Sequence, residues 1–375
     1  MLAIFGDDAL LRAALDFEAA LARAEAEEGL VSEHDATLIG DACATMTVDT
    51  AEIAEEAAHA GTLAIPLVRR LRAEVAQHDT TAAGLVHLAT TSQDLADTAL
   101  VLQIKAGSVL VEEACKRTAT ALAALVEKHI ATPMLGRTLL QGALPITFGL
   151  KAANWLLAID EALSRFRRER DLALVLQFGG PTGSLTGLNG KALAVAEHLS
   201  KELGLTCPPL PWQARRNGMA GLAAALAIVS GAIGKIARDI SLLSQGEVGE
   251  AFEPIIPGRG GSSAMAHKRN PTGCQIALSA ALRTPGLAAI ILSALPQEHE
   301  RGLGGWQAEA PVLAELFQLT HGALLAMAPV AEGLEVDTGK MRANLDAASV
   351  GSDTGESENL ARRALEHHRK TKECL

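Results

Sequence analysis

Between Gly260 and Asn270 the chain reads GGSSAMAHKRN and then meets Pro271. Glycines give a loop its hinges, a serine hydroxyl can pass a proton, and lysine with asparagine can hold a carboxylate. Together they suit a flap that closes over an anionic substrate. The same composition also suits a solvated surface loop. A phosphate-binding P-loop is excluded, because the GxxxxGK[ST] spacing is absent and no strand is expected before the segment.

A flap needs a rigid frame, and the apolar pattern supplies one. Met219, Leu222, Leu226, Val229, Ile233, Ile236, Ile240 and Leu243 recur at alternating steps of three and four, a heptad seam in a helix of about 25 residues. The opposite face carries Ala223, Ala224, Ala227 and Gly231, small enough to be covered as well. Further stripes run through Leu10, Ala14, Phe17, Leu21 and Ala24, and through Trp155, Ile159, Ala162 and Phe166, while 92–127 is long, periodic and free of proline. Gly and Pro cluster at 179–190, 207–211, 254–261 and 302–305, which read as loops between long helices. No segment sustains period-two alternation, so no sheet is expected. The fold class is all-α, a long-helix bundle, with shorter elements over 1–100, the bundle over 101–345 and an atypical polar, then basic, segment over 346–375.

Composition narrows the function. The chain has 375 residues, 49% of them apolar and only 3% aromatic, so its core is aliphatic and Ala-rich. A net charge of -11 disfavours nucleic acid and anionic membranes. A small anion can still bind wherever Lys and Arg gather. Residues 217–234 are uncharged and near the lower limit for a membrane span, but the heptad seam explains them better. The N-terminus lacks the basic and apolar regions of a signal peptide. Five cysteines with no metal-ligand spacing read as free thiols, which points to the cytoplasm.

The flap sequence resembles GSSxMPxKxN, the signature loop of the fumarase/aspartase superfamily. His87 to Thr98, HLATTSQDLADT, resembles that superfamily's TSxDxxDT block, and Gly136 to Gly149, GRTLLQGALPITFG, resembles its GRTHxQxAxPxTxG block. QFGGPTGSL (177–185), SQGEVGEAFEP (244–254) and PQEHERGLGGWQAE (296–309) are similar to its bacterial cycloisomerase branch, whose members lactonise a 3-substituted muconate in protocatechuate breakdown. The resemblance covers residues 1 to about 350. It implies an enzyme without cofactor or metal, a di- or tricarboxylate substrate, and a homotetramer with sites shared between subunits. It also implies a small C-terminal domain, which 351–375 does not resemble.

Carried over position by position, the resemblance makes Ser262 the proton-transfer group, with Ser263 as its neighbour, and Lys268 and Asn270 the binders of the substrate carboxylate. Thr91, Ser92 and Gln141 become substrate contacts, and Arg216 and Arg301 clamps for the remaining anionic groups. His87, His299 and His267 are further acid-base or binding candidates. Each has a plain alternative: a Thr-Ser pair before a helix is often an N-cap, and arginines at loop edges are often solvated. Three departures stand out. Leu139 occupies the position where many lyases of the superfamily carry a proton-transferring His, Ala266 replaces the signature Pro, and Gln275 replaces a frequent Glu. Leucine transfers no proton, which favours lactonisation, where the substrate's own carboxylate is the nucleophile. A fumarate-releasing lyase and an inactive helical oligomer are the competing readings.

Overall fold

The computed structural model describes all residues except 262–264, 266, 267, 374 and 375, together with the backbone but not the side chains of 372 and 373. In chain order the helices are α1 (Asp7–Glu27), α2 (Glu33–Thr45), α3 (Thr50–Ala60), α4 (Ala64–Ala76), α5 (Thr80–Leu85) and α6 (Ser92–Lys128). A hairpin of β1 (Pro133–Thr138) and β2 (Gln141–Thr147) follows, then α7 (Phe148–Ala173), α8 (Ala192–Leu203) and α9 (Asn217–Leu243). After β3 (Ala251–Phe252) come α10 (Thr272–Ser293), α11 (Glu309–Gly333), β4 (Glu335–Val336), α12 (Thr338–Ala348) and α13 (Ser357–Glu373). The fold is all-α in its mass, as the periodicity implies.

Contacts divide the chain into two compact units. Unit 1 holds Met1–Val109, Glu169–Leu222 and Ile290–Ala314; unit 2 holds Leu110–Arg168, Ala223–Ala289 and Glu315–Leu375. In unit 1, α1 packs on α2 and α8, with Phe17 and Leu21 in its core. Asp49 and Asp79 accept backbone N–H groups at the starts of α3 and α5, which fixes where those short helices begin. In unit 2 the heptad residues Val229, Ile233, Ile236 and Ile240 of α9 are all buried. Ser230 in the same helix pairs with Thr320 of α11 at 2.9 Å.

By length and composition α9, α10 and the 306–333 helical segment are apolar enough to cross a membrane. Most of the apolar window of α9 is buried within the chain, whereas α10 leaves Ile276, Leu282, Ile290 and Leu292 exposed.

The hairpin corrects the expectation of no sheet. β1 and β2 pair antiparallel from Pro133–Thr147 to Thr138–Gln141, leaving Leu139 and Leu140 as a two-residue turn. Both have positive φ, 52° and 65°, the requirement of a type I′ turn. Asn-Gly usually marks that turn, so a Leu-Leu pair gives no hairpin signal in the sequence. Left-handed backbone costs a residue with a Cβ about 1–2 kcal/mol. A β3–β4 pair, Ala251–Val336 and Phe252–Glu335, adds a second short ladder. Cys43, Cys115 and Cys274 are buried free thiols and Cys207 is an exposed one. Cys374 lies outside the described residues.

Candidate active site

In unit 1 the segment HLATTSQDLADT turns into α6, and its carboxylates do the organising. Asp94 is fully buried. Its Oδ1 accepts from Gln177 Nε2 at 3.0 Å and Gly179 N at 3.1 Å, and its Oδ2 from Gly180 N at 2.8 Å, Thr90 Oγ1 at 3.0 Å and Thr91 N at 3.1 Å. Burial pushes this carboxyl up, against the pull of those donors. Gln177 in turn accepts from Trp212 N at 2.8 Å, and Gln213 Nε2 donates to Gly180 O at 2.7 Å. One aspartate therefore ties three separate stretches, 90–94, 177–180 and 212–213, into one frame. Gly180 has φ +68°, and a Cβ there would meet Ala89 O at 3.0 Å, so glycine is required where these strands of backbone approach.

On that frame Thr91 and Arg301 meet: Arg301 Nη1 donates to Thr91 Oγ1 at 2.8 Å. Ser92 opens α6 and is half-buried, as is His87 four residues before Thr91. His299 lies exposed in the loop before Arg301, with φ 44°. The Thr-Ser pair does sit at a helix start, but the capping contact at Thr91 N comes from Asp94, which leaves the Thr91 side chain to Arg301.

Arg216 corrects the expectation of a substrate clamp. Its side chain is 1% exposed; Nη1 and Nη2 form a fork on Asp97 at 2.7 and 2.8 Å, and Nε and Nη2 donate to Glu309 at 3.0 and 2.6 Å. Its guanidinium lies 4.4 Å from the Trp212 ring centroid. Burial lowers the pKa of this group, but Asp97 and Glu309 outweigh it and shift it up. With its donors committed inside the protein, Arg216 has no free fork to offer a ligand. Asp94, Asp97 and Glu309 were visible in the quoted motifs, yet nothing local in the sequence marks them as partners of groups about 80 to 120 residues away.

Unit 2 contains the segment 260–270, the expected flap. Its two ends are tied together: Asn270 N donates to Gly260 O at 2.8 Å and Asn270 Nδ2 to Gly261 O at 3.1 Å. Beside them is a cavity of about 320 Å³ bordered by Ser244, Phe252, Arg259, Lys268 and Asn270. Glu253 accepts from Gly273 N at 3.1 Å and Cys274 N at 2.8 Å at the start of α10, so the chain leaving the flap is anchored. Arg259 donates to Ala326 O and Arg269 to Glu335, whereas Lys268 is exposed and has no ion-pair partner among the described residues. Ser262, Ser263, Ala266 and His267 lie outside the described residues.

The hairpin also belongs to unit 2. Arg137 makes a two-pronged pair with the fully buried Glu250 at 2.7 Å on each branch, and Asn344 Nδ2 adds 2.8 Å to Glu250 Oε1. Glu250 comes from SQGEVGEAFEP, so this block fixes the hairpin stem. Gly136 is obligatory there, since a Cβ would meet Leu144 O at 2.5 Å. At the tip Leu139 is 96% exposed and Leu140 76%, and Gln141 is exposed beside them.

A lyase family model matches residues 1–286. The chain belongs to the fumarase/aspartase lyase superfamily. Among its relatives is a 3-carboxy-cis,cis-muconate cycloisomerase of Bradyrhizobium diazoefficiens, 48% identical over 92% of this chain and 77% of that protein. Another is the enzyme of the same name from Pseudomonas aeruginosa, 48% identical over 92% of this chain and 75% of its own length. The crystal structure of the 3-carboxy-cis,cis-muconate lactonizing enzyme from Pseudomonas putida superposes with a TM-score of 0.92 at 38% identity, covering 98% of this chain and 96% of that one.

One buried carboxylate of α1 yields a pH prediction. Glu25 is 1% exposed on α1, and burial, then the neighbouring Glu18, pushes its carboxyl from 4.5 up to about 9. Between those values the folded chain binds a proton that the unfolded chain releases, so this group removes stability as pH rises from 4.5 toward 9. Glu25→Gln is therefore expected to raise the unfolding free energy read from urea titration at pH 8, by on the order of 2 kcal/mol, and to have no such effect below pH 4.5. An equal change at both pH values contradicts the assignment.

Proposed function

We propose that this chain is a cofactor-independent cycloisomerase that lactonises 3-carboxy-cis,cis-muconate or a closely similar 3-substituted muconate. The observation that carries the reading is the hairpin tip. Leu139 has no proton to give, and lactonisation is the superfamily reaction that needs none there, since the attacking group is already a carboxylate. The relatives' names point the same way.

In the proposed reaction a substrate carboxylate oxygen forms a C–O bond to one diene carbon. The displaced π electrons move onto the conjugated carboxylate, and the carbon next to that carboxylate then takes a proton. Lys268 stabilises the electron-rich intermediate, Asn270 shapes the flap base around it, and Ser262 passes the proton inward from solvent. Ser263 is the second hydroxyl of the flap. Thr91, Ser92, Arg301 and Gln141 bind the other polar groups of the substrate, with His87 and His299 as further contacts.

The assembly we propose is a cytoplasmic homotetramer whose sites combine the three signature blocks from different copies. Support comes from the exposed apolar positions, Leu282 at 83% on α10 and Leu139 and Leu140 on the hairpin, which other copies would cover. Loss of diene absorbance on adding 3-carboxy-cis,cis-muconate is the expected result, with sedimentation at tetramer mass. Absence of turnover with this and related anionic muconates, or release of fumarate from a succinyl substrate instead, overturns the functional reading.

A further inference from the structure

A carboxylate buried in α1 reaches the turn that leads into α6. Glu18 is 1% exposed, and its Oε1 lies 2.5 Å from His87 Nδ1, although the two residues are 69 positions apart. Glu18 Oε2 is buried without any hydrogen-bond partner, so the imidazole is the one side-chain hydrogen-bond partner of this carboxylate among the described residues. The backbone makes an effort to place that ring: His87 has φ 62° and Ala89 φ 53°, left-handed conformations at residues that carry a Cβ. Such strain persists where the surroundings over-determine it, and it concentrates at functional sites.

The ring is not sealed in. The His87 side chain is 13% exposed and borders a cavity of about 390 Å³ together with Arg69, Arg72, Ser92, Ile65 and Val68. The charged groups facing it are few. Glu18 approaches from α1. From α4, Arg69 is committed to Glu56 at 2.8 Å. Arg72 donates to Val86 O at 2.9 Å and has no carboxylate partner among the described residues. Glu25 keeps its proton at neutral pH, because burial and Glu18 push it up to about 9, so it does not compete as a carboxylate for the imidazole.

We propose that Glu18 is a positioning residue: it accepts the Nδ1–H of His87, so that the doubly protonated ring turns its second donor, Nε2–H, to the cavity, where His87 and Arg72 together bind one carboxylate of the anionic substrate. With Nδ1–H given to Glu18, a neutral ring would show the cavity only an acceptor lone pair, whereas the doubly protonated ring has a second N–H for a substrate carboxylate; the buried Glu18 fixes which ring nitrogen faces inward. Ser92, at the start of α6, supplies a hydroxyl to the same corner. This rests on the lactonising function for the identity of the substrate, while the corner itself is built for any compact polycarboxylate.

The test compares Glu18→Gln, His87→Asn and the double variant in the full-length protein. Turnover of 3-carboxy-cis,cis-muconate is followed, together with calorimetric binding of tricarballylate and ¹⁵N spectra of the His87 ring. Each single variant is expected to raise KM at least tenfold with kcat changed less than threefold, and to weaken tricarballylate by a similar factor. The double variant should be no worse than either single one, and Glu18→Gln should abolish the Nδ1-protonated ring signature. Unchanged KM and tricarballylate affinity in Glu18→Gln, or effects that multiply in the double variant, overturn the proposal. If the parent protein turns over no muconate, the functional reading fails, and the tricarballylate and ¹⁵N measurements still decide the role of Glu18.

Discussion

Arg216→Leu is expected to destabilise the protein by about 3–5 kcal/mol at pH 8, the cost of stranding buried charges after removal of their partner. Asp97 and Glu309 are 2% and 0% exposed, and each aims its carboxylate at the guanidinium. Leucine restores apolar volume but leaves two carboxylates without a cation. Burial already pushes the Glu309 carboxyl above its ordinary value against the pull of Arg216, and losing that pull raises it further, so the deficit is largest at high pH and shrinks as pH falls and Glu309 takes up a proton. Adding Asp97→Asn and Glu309→Gln to Arg216→Leu should recover part of the loss, because neutral amides cost less to bury than unpaired carboxylates. Urea midpoints at pH 8 and pH 5.5 measure both effects. A deficit below about 1 kcal/mol at pH 8 would mean that the triad does not hold these segments together. Had Arg216 been a clamp at the substrate, the variant would instead fold normally and lose affinity alone.

That triad also marks where sequence reading stops. Periodicity is a local property, so α9 follows from its heptad residues and α6 from an uninterrupted apolar repeat without any knowledge of neighbours. Arg216, read in PWQARRN, has no local sign of its partners, which lie 119 and 93 positions away. A guanidinium with no visible partner looks available, and the structure shows it occupied. His87 is the opposite case: its type suggested a role, and Glu18 in α1 explains how a ring in a strained turn is held. The β1–β2 hairpin escaped because its turn is made by Leu139 and Leu140 rather than residues that tolerate positive φ easily. The motif resemblance singled out 136–149 without implying a hairpin, since family patterns record residue types at positions and not the local backbone.

Ser262→Ala is expected to lower kcat on 3-carboxy-cis,cis-muconate about 10³-fold, within the usual range for deleting a proton-transfer group and equal to about 4 kcal/mol of barrier. The proposed reaction explains why the loss falls on kcat. C–O bond formation uses an oxygen that is already anionic, so binding and attack need nothing from the serine; carbon protonation does. Lys268→Met removes a charge that matters most when the conjugated carboxylate gains electron density, so it should also lower kcat, by about 10²-fold, with a smaller rise in KM. Lys268 is exposed and unpaired among the described residues, so its loss leaves no buried group stranded and the variant should melt with the parent. Solvent exchange separates the two roles. In deuterated water the lactone carries one deuterium at the protonated carbon, and a proton-transfer serine predicts that Ser262→Ala slows that delivery while Lys268→Met slows the step that creates the electron-rich intermediate. Normal turnover by Ser262→Ala would remove the serine from the mechanism and leave Ser263 as the flap hydroxyl to test.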